Sequence, residues 1–311
     1  MHRREFLLSS TAALAVGTAT VRGRAQAAVP NKAKLDRVAI MSYSFDRILK
    51  NGSTDANRTL DLLDLPEMYA DKYKVHNIEV QHNQFISTET SYFREFLAKV
   101  TKAKSRITNI NLEFDGMFIT SPSPVSRAQG VDLSKRWIDF AVMLGSPRVM
   151  VNQGSPTPEN KAIAIEALKH IGAYGKAKKV MVAMEPRGGG GGGGGARRGA
   201  PPPDPNAPAP PPPPPAYILL TEIIKESGTY ANVDIGNFGD QNVQQAGIRA
   251  MFPYTDGNTH VKINPARYDL PAALKIIREE FKYTGLFSIE AGLNDPYTNV
   301  QAIYDVLLES M

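Results

Sequence analysis

The chain has 311 residues, 42% hydrophobic and 22% charged, with five histidines and no cysteine, which excludes disulfides and thiolate metal sites. Its formal charge of +5 is largely N-terminal. Residues 1–27 carry four arginines and one glutamate, and the remainder, at +2, is too weakly charged to suggest a nucleic-acid partner.

Arg3 and Arg4 precede Phe6-Leu7-Leu8, a short apolar run and the small-residue site Ala25-Gln26-Ala27, which reads as a twin-arginine export signal over 1–27. The expected location is periplasmic or secreted. The apolar run is shorter than the ~20 residues a membrane span needs and is broken by Gly17, so no stable span is expected. Arg37–Met41 reads as a first strand and Asn77–Val80 as a second, followed by Gln81-His82-Asn83. Phe93, Phe96, Leu97 and Val100 stripe a helix before a third strand, Ile107–Phe114. Leu133, Trp137, Phe140, Ala141 and Leu144 mark the next helix, stopped by Gly145. The fourth strand is Arg148–Val151, the following helix shows Ile163, Ala167, Leu168, Ile171 and Tyr174, and the fifth strand, Val180–Met184, is closed by Glu185.

Residues 188–215 are different in kind. An unbroken run of eight glycines leads through Arg197-Arg198 into a proline-dominated tract. Such a chain has too little apolar surface to offset its ordering entropy and reads as a disordered insert, flexible then polyproline-like. No Lys or Ser/Thr follows the glycines as a phosphate-cradling loop requires. Beyond it come a helix with Tyr217, Leu220 and Ile224, a sixth strand (Tyr230–Asp234), a short helix near Gln241–Met251 and a seventh strand, Thr259–Ile263. Asp269 is a helix cap with Pro271 in the first turn, and Leu270, Ala273, Leu274, Ile277 and Phe281 form the apolar stripe. Leu286–Ile289 is strand eight, and a last helix opens at Asn294-Asp295-Pro296. Without leader and insert 256 residues remain, close to the ~250 of a (β/α)₈ barrel. The expected fold is an α/β (β/α)₈ TIM barrel over 35–311 with the insert in the loop after strand five, and an open doubly wound sheet is the alternative.

In such a barrel the chemistry lies at the carboxyl ends of the strands. There strand five offers Glu185, strand six Asp234, strand seven His260 and strand eight Glu290. Three carboxylates and one imidazole make a mostly oxygen donor set, suited to Mn²⁺, Mg²⁺ or another divalent ion with positions left for substrate. By period-two alternation Lys262 shares a side of strand seven with His260 and is a candidate for substrate oxygen or for a rim ion pair. His82 is a candidate substrate contact or a loop hydrogen-bonder. Arg267 is a candidate anion clamp or a solvated loop residue.

The segments Val-Met-Val-Ala-Met-Glu185, Asn-Val-Asp234-Ile-Gly-Asn237, His260-Val-Lys262 and Phe-Ser-Ile-Glu290 resemble the matching strands of the sugar phosphate isomerase/epimerase family, the xylose isomerase-like TIM barrels. The resemblance implies that Glu185, Asp234, His260 and Glu290 hold one divalent ion, usually manganese with Mg²⁺, Co²⁺ or Zn²⁺ as alternatives. It also implies that Glu185 and Glu290 are the acid/base pair. Asn237, taken as a substrate contact, stands where the ketose 3-epimerase branch has a histidine, and Pro186-Arg187 stands where relatives tend to have Asn-His. The activity implied is isomerisation or epimerisation of a free or oxidised keto-sugar by proton transfer next to a carbonyl, through a metal-bound enediolate. A sugar lyase or dehydratase and a non-catalytic sugar-binding barrel are the alternatives. The expected partner is a small-molecule sugar, with homo-oligomer formation left open.

Overall fold

The computed structural model describes residues 31–151, 153–187 and 215–311, so the export signal and all but the last residue of the Gly/Pro insert lie outside the described residues. Pro215, counted with that insert, is instead the N-cap of a helix. Eight parallel strands follow one another around a barrel: β1 (Val38–Met41), β2 (Asn77–Gln81), β3 (Arg106–Asn111), β4 (Arg148–Met150), β5 (Met181–Met184), β6 (Tyr230–Ala231), β7 (Asn258–Val261) and β8 (Leu286–Ile289). Pairing runs β6-β5-β4-β3-β2-β1-β8-β7. Closure between β6 and β7 is made by Asp256 N–H to the Ala231 carbonyl at 3.0 Å and Ile235 N–H to the His260 carbonyl at 3.1 Å. The (β/α)₈ barrel read from the sequence is therefore the fold.

The outer layer is α1 (Lys32–Leu35), α2 (Leu65–Tyr73), α3 (Thr90–Lys102), α4 (Pro124–Leu144), α5 (Lys161–Ala177), α6 (Ala216–Ser227), α7 (Gln241–Met251), α8 (Leu270–Glu279) and α9 (Pro296–Ser310). Local chemistry sets their ends. Asp240, Asp269 and Asp295 accept first-turn N–H groups of α7, α8 and α9, each satisfying donors that a helix start leaves open. Gly145 ends α4 at φ 70°, a left-handed cap that a side chain resists. The stripes then bury Phe93 and Phe96 of α3, Trp137 and Leu144 of α4, and Leu274 and Ile277 of α8, each worth about 1.5–3 kcal/mol relative to exposure.

Three strand expectations shift by two residues or more, and four others by a single residue at one end. β3 stops at Asn111 rather than Phe114, because Glu113 N–H turns to the His82 Nδ1 at 3.0 Å and leaves the ladder. β6 keeps only two ladder residues of the five expected, with Asn232 N–H still reaching the Met184 carbonyl at 2.8 Å before the path bends toward β7. β7 ends at Val261, and Ile263 is exposed on the rim.

The barrel interior departs from the branched apolar layers usual for this architecture. Asn77 and Glu79 on β2, Asn109 and Asn111 on β3, Asn232 after β6, and Asn258 and His260 on β7 are all buried. A register shift between Ile78 and Glu79 against β3 brings Glu79 level with Asn109. An irregularity of this kind re-aims a side chain without breaking the sheet. It sets Glu79 beneath the carboxyl-end rim, facing β7.

Candidate metal and acid/base site

Glu185, Asp234, His260 and Glu290 each present a ligand atom, and these atoms all lie within 4.8 Å of one another. They come from four consecutive strands of the barrel, as parallel strands of matched register deliver side chains to one rim. The Glu290 N–H donates to the Val261 carbonyl at 3.0 Å, which fixes its height against β7. Asp234 is turned inward by its own backbone: one carboxylate oxygen accepts Gly236 N–H at 2.7 Å.

The two glutamates divide their oxygens. The Oε2 atoms of Glu185 and Glu290 both stand 3.3 Å from His260 Nδ1. Their other oxygens go to different cations: Glu185 Oε1 is 3.3 Å from Arg187 Nε, and Glu290 Oε1 is 2.9 Å from Lys262 Nζ. Lys262 also reaches Asp234 at 2.8 Å and donates to Asn237 Oδ1 at 3.1 Å. It lies over Gly236, where a Cβ would come within 2.6 Å of the Lys262 Cβ. Glycine at 236 is therefore what lets the lysine stem pass.

The electrostatics follow from burial among opposite charges. Burial alone would strip the proton from His260, but Glu79 and the two site glutamates outweigh it and hold the ring's pKa well above the ordinary value. Lys262 is raised in the same way by Asp234 and Glu290. Burial pushes Asp234 up, with Lys262 acting in the opposite direction. Burial opposes ionisation of Glu290, but Lys262 and His260 prevail and bring it down to about 2.

The donor set fits a divalent cation. Two buried atoms, His260 Nδ1 and Glu185 Oε2, have no hydrogen-bond partner among the described residues, and Asp234 Oδ2 meets only Lys262, although burying a polar atom unpaired costs on the order of 1–3 kcal/mol. They point into one small volume, and three oxygens with one imidazole nitrogen match the preferences of Mn²⁺, Mg²⁺ and their neighbours.

The remaining sequence candidates are spread more widely. Lys262 and Asn237 border the cluster, and the rim ion pair considered for Lys262 is present. His82 is used internally: its Nδ1 accepts Glu113 N–H, and its ring meets Phe114 and Trp137 edge to face at 4.7 and 5.4 Å. Burial carries its pKa down to about 4, so at neutral pH it is an uncharged ring. Arg267 is exposed on the wall of a 540 Å³ depression with Gln241 and Asp269. A 480 Å³ cavity opens beside Glu290 and Lys262, bordered by Tyr43, Asn264, Tyr268 and Asn299, and shares Ile263, Asn264 and Tyr268 with that depression.

Two groups were not singled out from the sequence. Glu79, fully buried, is 2.5 Å from His260 Nε2, and its charge is kept by that imidazole and by Asn111 against the cost of burial, with the pKa at about 2. The signal was available as a period-two line of polar residues, Asn77-Glu79-Gln81, facing others at Asn109-Asn111 and Asn258-His260-Lys262. The second group is Glu113, paired with Arg187 and raised in pKa by burial despite that cation. It sits on a loop where no periodicity marks it.

A family model described as xylose isomerase-like TIM barrel matches residues 69–195. No curated protein matches the chain. Among solved structures, the xylose isomerase domain protein from Planctomyces limnophilus superposes with TM-score 0.61 at 15% identity, over 88% of this chain and 96% of its own. D-psicose 3-epimerase from Clostridium cellulolyticum H10 gives 0.60 at 11% identity, over 88% and 95%. The probable 3-DHS dehydratase AsbF from Bacillus anthracis gives 0.60 at 12% identity, over 87% and 98%. At such identities the superpositions show the fold alone, a (β/α)₈ barrel, and the family match covers the part of the chain from residue 69 to residue 195.

Proposed function

We propose that the protein is an exported, metal-dependent sugar isomerase or epimerase that moves a proton next to the carbonyl of a free or oxidised keto-sugar. The observation that carries this reading is the convergence of Glu185, Asp234, His260 and Glu290 within 4.8 Å, with His260 Nδ1 and Glu185 Oε2 lacking a hydrogen-bond partner among the described residues. A divalent ion held by these four would supply Lewis-acid polarisation of a carbonyl and so ease removal of the neighbouring proton. Glu185 and Glu290 are the proton carriers: each keeps one oxygen on the cluster and has the other fixed by its own cation, Arg187 or Lys262. Two separately oriented carboxylates suit removal of a proton on one face and return on the other. The 480 Å³ cavity beside Glu290 falls within the ~300–1,000 Å³ usual for small-molecule sites, and Tyr43 and Tyr268 offer it aromatic walls. Lys262 lines it and donates to Asn237 Oδ1 at 3.1 Å, and these two side chains would take substrate oxygens.

A dehydratase is the second reading, favoured by Lys262 at 2.9 Å from Glu290, since loss of a β-hydroxyl calls for a cation or acid near the leaving oxygen. One experiment separates them. Mn²⁺-loaded protein is incubated in D₂O with a panel of keto-sugars and their acids. An isomerase or epimerase gives a product of unchanged composition carrying solvent deuterium, whereas a dehydratase gives one lighter by water. Glu185→Gln and Glu290→Gln should retain much of the metal and lose turnover by ~10²-fold or more. Wild-type turnover and exchange in both variants would remove the glutamates as proton carriers, whereas absence of turnover and exchange in the metal-loaded wild type would favour a non-catalytic sugar-binding barrel.

A further inference from the structure

Glu79 lies one layer below the cluster, with no exposure. Its Oε1 accepts from Asn109 at 3.0 Å and Asn111 at 2.7 Å, and its Oε2 accepts from Asn258 at 2.9 Å. Three amides from two strands thus hold the carboxylate from both sides. The same Oε1 stands 2.5 Å from His260 Nε2, a nitrogen that the Asn232 side-chain amide also meets at 2.9 Å. The ring's other nitrogen, Nδ1, carries no hydrogen bond and faces Glu185 and Glu290. A carboxylate buried this deeply costs several kcal/mol to desolvate, and an apolar side chain would fill the space without that cost. What the carboxylate adds is an acceptor at Nε2. That acceptor decides which ring nitrogen bears the proton and which way the ring is turned.

We propose that Glu79 is the positioning residue for His260. Held by Asn109, Asn111 and Asn258, it keeps a proton on Nε2, so that Nδ1 is the nitrogen whose proton is displaced and whose lone pair then turns to the site shared by Glu185, Asp234 and Glu290. The distant strands β2 and β3 thereby set the geometry of a site whose four donors come from the fifth to eighth strands. The proposal rests on the reading of those four residues as a metal centre.

Mn²⁺ binding to the full-length protein tests it, followed by the paramagnetic signal of free ion and by calorimetry, with Zn²⁺-loaded ¹⁵N-histidine protein read by NMR. Wild type is expected to bind one Mn²⁺, and its Zn²⁺ form to show a slowly exchanging Hε2 proton on His260. Glu79→Gln sets an amide among three amide donors and should bind Mn²⁺ ~10–100-fold more weakly and lose the protected Hε2 signal. Asn111→Ala, which removes one strut and leaves the Glu79–His260 contact, should lower the melting temperature while keeping the affinity within a few-fold and the Hε2 signal intact. If Glu79→Gln does not fold, Glu79→Asp, which keeps the charge but withdraws it by one methylene, is read in the same way. Wild-type affinity together with an unchanged Hε2 signal in the Glu79 variant overturns the proposal, as does equal loss of metal in Asn111→Ala. Failure of the wild type itself to bind Mn²⁺ overturns the metal-centre reading on which the proposal stands.

Discussion

His82 lends itself to a quantitative test, because burial lowers its pKa from 6.5 to about 4 and its Nδ1 accepts a backbone N–H. Between those two values the unfolded chain takes up a proton that the folded chain refuses, so stability falls as pH drops below 6.5 and levels off near 4. At roughly 1.4 kcal/mol per pH unit the full loss is ~3 kcal/mol, of which ~2.5 kcal/mol is spent between about pH 7.5 and about pH 4.5. His82→Asn removes the titrating ring while leaving an oxygen able to accept the Glu113 N–H. It also forfeits the edge-to-face contacts with Phe114 and Trp137, worth about 0.5–1.5 kcal/mol each at any pH. The variant should therefore be less stable than wild type at neutral pH and draw level or ahead in acid. Urea unfolding of both proteins across that range gives the difference curve, in which the carboxylates common to both cancel. A stability gap that stays constant to within ~0.5 kcal/mol, or an NMR titration placing His82 near 6.5, would refute the reasoning.

Two further outcomes are expected. Because the carboxylates around His260 hold its proton well above the ordinary histidine range, a metal taking Nδ1 must expel that proton. Mn²⁺ affinity should rise about tenfold per pH unit through neutrality, and calorimetry in buffers of different ionisation enthalpy should show about one proton released; release of none would count against His260 as a ligand. Gly236→Ala should displace Lys262, whose Cβ, Cγ and Cδ would lie 2.6 to 2.9 Å from the new methyl. The fold should survive, because the residue is on the rim, while turnover falls by an order of magnitude or more; unchanged kinetics would show that Lys262 does not need its contacts with Asp234 and Glu290.

Much of the architecture was legible in the chain because each βα unit is local. Asp269, Pro271 and the stripe Leu270–Ala273–Leu274–Ile277 define α8 within one short segment, and the same argument recovers α3, α4 and α9. The four convergent donors were legible for a related reason. Each lies near or just past the carboxyl end of one strand, and closing eight parallel strands carries all such ends to the same rim. α2 was not read, because its nine residues carry a weak apolar stripe and its end is set by Lys74 in the left-handed region rather than by a glycine.

Tertiary structure alone decided how those donors are supported and charged. Glu79 meets His260 from 181 positions away, and only a register shift on β3, set by how neighbouring strands pair, brings it level with its amide donors. Arg187 and Glu113 meet across 74 positions through two loops that no periodicity describes. Strand-end residue types are written locally, so the sequence by itself determined which groups gather at the rim. Protonation and ring orientation depend on burial and on partners across the barrel, and those exist only once the sheet has closed.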